Sequence, residues 1–178
     1  MATPGSINGP QRVDQPHYDL PQALTDLFGR VTVAGGATGF TATTELDTIR
    51  SLADEIVGDV AARPKRRHLV IMGEENALAG AAVLRQPSQP VLQHRAEIEW
   101  VLVDPELQGK RLGTYLLDAA VAHAQAIGAT QLYLYSRSGQ DLEHFYAQRG
   151  WVERGRWPNS MRMGEDDVRD QIWFTRDL

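Results

Sequence analysis

Cysteine is absent from the 178 residues, which excludes disulfides, thiolate metal sites and a covalent thiol mechanism. No apolar run approaches the roughly 20 residues that a membrane-spanning helix needs. Residues 1–15 are polar, rich in Gly and Pro, and lack the basic start and apolar middle of a secretory signal. They are expected to form a flexible polar N-terminus, with the cytoplasm as the expected compartment and no membrane partner. Basic charge is also in deficit: 18 Lys and Arg against 23 Asp and Glu leave a net charge of −5 and a pI near 5.5. That balance argues against a nucleic-acid partner, because such binding is built on phosphate neutralisation, and it mildly suits a cationic substrate. No G-x-S-x-G elbow surrounds Ser136 or Ser138, and no G-x-G-x-x-G dinucleotide fingerprint is present. His94, His123 and His144 have no metal-ligand spacing, so each reads as a surface or packed histidine and no metal is expected. No internal repeat is visible.

What remains is an ordinary globular composition, 42% hydrophobic and 23% charged, at a length that suits one α/β domain over residues 1–178. Apolar residues at Leu46, Ile49, Ala53, Ile56 and Val60 predict an amphipathic helix over residues 44–60, with Thr44 and Asp47 as a capping-box-like start. A shorter helix is predicted over residues 21–31, followed by the glycine-rich stretch 35–40, which is within reach of a ligand. Residues 68–72, 78–84 and 97–103 read as three consecutive antiparallel strands. The period then changes to 3.6, with Leu112, Leu116, Ala120, Ala124 and Ile127 on one face and Gly128 as the stop. A strand at 132–135, a helix at 140–149 and two strands near 151–155 and 171–175 complete the pattern. Trp100, Trp157 and Trp173 read mostly as core or sheet cover, and Lys65, Arg66, Arg67 and His68 as a solvated loop before a strand.

The most informative stretch runs Gln108-Gly109-Lys110-Arg111-Leu112-Gly113-Thr114, between a strand and an amphipathic helix. The first N–H groups of a helix lack partners and carry about half a positive charge, so an anion settles there. Glycines let phosphates approach the main chain, Lys110 and Arg111 add charge, and Thr114 adds a hydroxyl. In this position Gln108-x-x-Arg111-x-Gly113 resembles the coenzyme A signature Q/R-x-x-G-x-G/A of the GNAT superfamily of N-acetyltransferases. The resemblance extends to Ala96-Glu97-Ile98-Glu99 upstream and to Phe145-Tyr146-Ala147-Gln148-Arg149-Gly150-Trp151, similar to F-Y-x-x-x-G-F/W. It covers residues 67–178 well and the N-terminal third more loosely. Within the superfamily, residues 35–40, Trp157-Pro158 and Ile172-Trp173-Phe174 are similar to the tabtoxin-resistance acetyltransferase type. Two positions depart from the pattern: Arg111 replaces the usual glycine, and Gly139 stands where an asparagine is common. A helical Arg111, adding a phosphate contact, is the expected outcome over a left-handed one.

The resemblance implies a mixed α/β fold of GNAT type, a mostly antiparallel sheet of six to seven strands with about four helices. It implies acetyl-CoA as acyl-donor cosubstrate and direct transfer to a primary amine, the expected acceptor being a small molecule. Gln108, Gly109, Lys110, Arg111, Leu112, Gly113 and Thr114 would bind the pyrophosphate, and the backbones of Val101, Leu102 and Val103 the pantetheine. Glu97, eleven positions before Gln108, would act as base, with Glu99 as fallback. Tyr146 would return a proton to sulfur, as a phenol of pKa near 10 and a thiol are of comparable acid strength. The competing readings are a protein or peptide N-acetyltransferase and a non-catalytic acetyl-CoA sensor. Exposed strand edges permit a homodimer without requiring one.

Overall fold

The computed structural model describes residues 7–178. In chain order the elements are β1 (Gln11–Val13), α1 (Leu20–Val33), α2 (Leu46–Ala61), β2 (Arg67–Glu74), β3 (Ala77–Arg85), β4 (Arg95–Val103), α3 (Leu112–Ala126), β5 (Gln131–Arg137), α4 (Leu142–Ala147), β6 (Val152–Arg162) and β7 (Val168–Asp177). The strands form one sheet in the order β1-β2-β3-β4-β5-β7-β6. Every neighbouring pair is antiparallel except β4–β5, which is parallel.

Both faces of the sheet are covered, which is why its central strands read as continuous apolar runs. Side chains alternate along a strand, so Leu69 and Ile71 of β2 and Ala81 and Val83 of β3 pack with the apolar stripes of α1 and α2. Their neighbours Val70, Met72, Ala82 and Leu84 face the other way, onto Leu116, Leu117 and Ala120 of α3. The spacing of three and four places Leu20, Leu24, Leu27, Phe28 and Val31 on one side of α1, all buried. Pro21 lies in the first turn of α1, where no N–H is missed. Phe28 meets Trp100 edge-on at 5.5 Å between centroids, and Trp100 donates from Nε1 to the Thr38 carbonyl at 3.0 Å. These contacts tie the stretch after α1 to the centre of β4.

The six-to-seven-strand, four-helix expectation matches the seven strands and four α-helices among the described residues. The differences are local. Residues 11–13, expected to be flexible, form β1, because Val13 is a buried anchor for three residues added to the β2 edge; a strand this short carries no readable period. Helix α2 starts at Leu46 with no side-chain cap, and the Thr44 hydroxyl instead accepts from the Thr41 N–H at 3.0 Å. Arg67, read as solvated loop, belongs to β2 and is buried because three carboxylates surround it. Helix α4 is six residues long, and β6 and β7 extend beyond their expected limits into a long hairpin. Gly128 stops α3 as anticipated, with φ of 88°.

His123 of α3 is buried with Nε2 unpartnered, its ring 4.9 Å from that of His68. Burial, reinforced by the charge a protonated His68 would carry, lowers its pKa to about 4. The unfolded chain binds this proton near pH 6.5 and the folded chain does not, so the contribution to stability is intact above that pH and is lost as pH falls toward 4. Thermal denaturation is expected to show a falling midpoint between pH 7 and pH 4.5, and His123→Gln is expected to reduce that slope. A slope unchanged by the substitution would remove His123 from the acid response.

Candidate active site

The parallel pairing of β4 with β5 covers three residues, Arg95 to Glu97 against Gln131 to Tyr133. Beyond Glu97 the two strands separate, while β4 stays paired with β3 as far as Val103. The backbone of β4 that faces β5 therefore has no strand partner, although buried main-chain groups require one from some source. A cavity of about 600 Å³ fills the gap, walled by Ile98 to Val103, by Leu134 to Ser136, and by the residues around Gly35. It reaches the start of α3 at one end. Val101, Leu102 and Val103, expected to offer their backbones, form one side of it.

At the start of α3 the Thr114 and Tyr115 N–H groups donate to the Arg111 carbonyl. Leu112 and Gly113 come before the first intrahelical donor, so their N–H groups are the free donors of the helix start. Gln108, Gly109, Arg111, Leu112, Gly113 and Thr114 all line the cavity, whereas Lys110 does not. Gly109 has φ of 78°, with open space where a Cβ would stand. A Cβ on Gly113 would meet only the Val103 Cγ2, at 3.7 Å. Arg111 corrects the expectation of a helical residue: it caps α3 in the left-handed region, φ 62° and ψ 11°. The turn that exposes these N–H groups demands that conformation, and so favours glycine at this position.

Arg149 belongs to the Phe145-to-Trp151 motif, where the sequence gives it no role. From beyond the end of α4 it reaches back to α3, donating to the Thr114 hydroxyl at 2.7 Å and to the Phe145 carbonyl at 2.7 Å, and stacking over the Phe145 ring at 3.8 Å. It places a guanidinium on the cavity wall beside the helix start. Only the meeting of α4 with α3 makes this visible. Gly139 lies outside this cavity, and the Arg169 side chain occupies the space above its Cα.

Register shifts between Val83 and Leu84, so that Trp100 and Ile98 of β4 face consecutive residues of β3 and Glu99 is the extra residue of a bulge. Glu99 lines the cavity and Glu97 does not. The buried Glu97 carboxylate accepts from Arg85 and, at 3.1 Å, from the Tyr133 hydroxyl. Glu99 accepts from Arg67 Nε at 2.7 Å and Nη2 at 3.4 Å, and pairs with Arg85 Nε at 3.0 Å. Three contacts leave about one of a carboxylate's roughly four acceptor positions free. Burial raises the Glu99 pKa above the ordinary carboxylate range, against the lowering effect of Arg67 and Arg85. A second chamber of about 290 Å³ shares Ala37, Glu99, Trp100, Tyr135 and Ser136 with the first and extends under β6. The two cavities meet at Glu99.

Tyr146 lines the main cavity, its ring set among Phe145, Trp151 and Phe174 at 5.3 to 5.9 Å. Burial, with no charged neighbour contributing, pushes its pKa up to about 12. This corrects the expected match in acid strength: the phenol is a weaker acid than a thiol, and it stays protonated across the physiological range.

The left-handed turn at Arg111 yields a direct test. Arg111→Gly is expected to keep α3 intact and to raise stability by up to about 1 kcal/mol in chemical denaturation, whereas Arg111→Val is expected to lower it by at least that amount. Equal stability of the two variants would show that the turn does not hold this residue at positive φ.

The model of the acetyltransferase (GNAT) family matches residues 38–151. Among solved structures, a protein assigned to the GNAT acetyltransferases from Desulfovibrio desulfuricans is 22% identical, with a TM-score of 0.69 over 97% of this chain and 99% of that one. A protein assigned as a phosphinothricin N-acetyltransferase is 20% identical, with a TM-score of 0.77 over 96% and 99%. YncA from Salmonella typhimurium, solved with acetyl-CoA, is 16% identical, with a TM-score of 0.72 over 96% and 95%. At these identities the structural likeness establishes the fold. The family model, which spans more than half of the chain and contains the β4 edge, the start of α3 and Tyr146, establishes membership: this protein belongs to the GNAT family of acetyltransferases.

Proposed function

We propose that this acetyltransferase takes its acetyl group from acetyl-CoA and delivers it to the primary amine of a small molecule, in one direct step. The observation that carries the reading is the continuous cleft from the free N–H groups of Leu112 and Gly113, along the unpaired edge of β4, to Glu99 and Tyr146. A pyrophosphate fits the helix start, where dipole, amide donors and the Arg149 guanidinium all favour negative charge. A pantetheine arm, which carries amides, fits the β4 edge as an added strand fits a sheet. The acetyl-CoA and coenzyme A bound in YncA and in PaiA from Thermoplasma acidophilum support the same donor. For the acceptor, the phosphinothricin N-acetyltransferase neighbour supports a small molecule and the tabtoxin-resistance resemblance. The 290 Å³ chamber, with walls from four segments including residues 160–163 at and just beyond the end of β6, supports a small acceptor over an extended peptide.

In the transfer the amine nitrogen bonds to the acetyl carbon as the carbon–sulfur bond breaks. An ammonium acceptor gives up two protons: one ends on the sulfur and the other leaves to solvent. Glu99, with a free acceptor position at the junction of the two cavities, takes the first proton from the ammonium, directly or through water. Glu97 replaces its expected role as base with a positioning one, since it holds Arg85, which in turn holds Glu99. A β4 backbone N–H polarises the thioester carbonyl. Tyr146 donates a hydrogen bond to the departing sulfur and relays to it the second proton that the amine releases, so that the phenol, held protonated up to about pH 12, is restored within the step.

Two measurements test this reading. Gly113→Leu is expected to fold, since its Cβ meets no backbone, and to lose acetyl-CoA binding by at least ~10-fold in calorimetry because the longer side chain enters the phosphate approach. Undiminished affinity would overturn the phosphate site. Glu99→Gln is expected to lower kcat/KM ~10²-fold at pH 7 in a free-thiol assay, and the deficit is expected to shrink toward pH 10, where the amine is free without a base. A deficit constant across that range would assign Glu99 a purely structural part.

A further inference from the structure

Arg137, at the end of β5, is 8% exposed and forms part of the wall of the smaller chamber. A buried guanidinium normally sits against a carboxylate, because removing its charge from water is costly without a counter-charge. Arg67 obeys this rule, with Glu99, Glu55 and Asp59 around it. Arg137 does not: among the described residues no carboxylate lies within ion-pair distance of it. Its two hydrogen bonds go to the Gly35 carbonyl and, at 3.4 Å, to the Met163 Sδ. Of the five N–H donors of a guanidinium, three have no protein acceptor. Asp167 is near enough to be felt electrostatically but is engaged by Arg169, itself a second positive charge facing Arg137. Burial and Arg169 together lower the Arg137 pKa, as expected of a cation lacking its counter-ion.

Beside Arg137 the Ser136 hydroxyl is a second unmet group. Ser136 is 6% exposed, lines both cavities, and its Oγ has no partner within the chain. Arg162, exposed, adds a further cation to the same chamber. Opposite them is Glu99 of the buried β4 network, so one chamber presents a carboxylate with a free acceptor position on one wall and unpaired donors on another.

We infer that Arg137 and Ser136 form a carboxylate-recognition subsite, and that the acceptor is a small amino-acid-like zwitterion whose amine faces Glu99 and whose carboxylate faces Arg137. This rests on the acetyl-transfer reading above and narrows its acceptor. One buried positive charge without a counter-ion calls for one negative charge, which a carboxylate supplies in a geometry that matches the planar fork of a guanidinium. The chamber volume, at the lower end of the roughly 300 to 1,000 Å³ of small-molecule pockets, suits a molecule of amino-acid size. Polyamines and peptide amides, which bring no carboxylate to Arg137, would leave its charge uncompensated.

The test is a free-thiol assay with acetyl-CoA over the twenty L-amino acids, their amides and their decarboxylated amines. At least one free acid is expected to be acetylated with kcat/KM ~10²-fold or more above its own amide, the difference lying in acceptor KM. Arg137→Gln is expected to bring acid and amide within a few-fold of each other, and Arg137→Lys to restore part of the preference. The acid-to-amide comparison needs only the unsubstituted protein, so it stands if a variant fails to fold. Amides or decarboxylated amines accepted as well as the acids, or a full acid preference kept by Arg137→Gln, would overturn the subsite. So would a panel in which no free acid is acetylated. Calorimetry with acetyl-CoA separates the two levels: binding with no acid acetylated refutes the subsite alone, whereas no binding refutes the acetyl-transfer reading as well.

Discussion

The parting of β4 from β5 after Glu97 is the constraint on which the rest of the site depends. A parallel pair that continued to Val103 would satisfy its own backbone and leave nothing to bind with. By pairing over three residues and then diverging, the two strands stay in one sheet while the rest of β4, from Ile98 to Val103, becomes an unpaired edge inside the protein. An exposed edge of this kind on a sheet rim invites another chain; here α3, α4 and the residues around Gly35 wall it into a cavity instead. The bulge at Glu99 falls within this stretch, and it turns a carboxylate toward the cleft as the strand leaves its neighbour.

Charge is distributed unevenly around the opening. Glu97 and Glu99 share Arg85, Glu99 also holds Arg67, and Arg67 reaches Glu55 and Asp59 on α2. Each member of this network has a counter-charge, as buried ions require, and the network couples α2 to the strand that bears Glu99. The far wall lacks that compensation, with Arg137 bonded to a carbonyl and a thioether. At the opposite end of the cleft the helix start and Arg149 form a second cationic region.

Much of the fold was legible because its signals are local. The stripes of α1 and α2, the meander β2–β4 and the stop of α3 at Gly128 all follow from spacing within windows of about ten to fifteen residues. The motif at Gln108 to Thr114 was legible because a strand, a glycine-rich turn and an amphipathic helix are contiguous in sequence. Arg111 was misread for a related reason: side-chain type favours a helical arginine, but the turn geometry sets φ at 62° regardless of what occupies it. Glu97 was preferred to Glu99 because its distance from Gln108 matches the pattern of the resembled family, and a bulge of one residue puts Glu99, not Glu97, on the cavity wall.

By itself the sequence pointed to the family, the order of the elements from α1 onward, and the glycine-rich turn between β4 and α3. Those features are written in contiguous residues and in repeating periods, which survive without knowledge of the third dimension. Only the tertiary structure decided that Arg149 approaches Thr114 across 35 positions, that Tyr146 is enclosed so that its acidity falls, and that Arg137 is buried with no carboxylate beside it. Burial and charge pairing are properties of the packed ensemble of segments. A side chain's partners, and therefore its protonation and its demand for a ligand, are set by residues far away in the chain, and no local pattern records them.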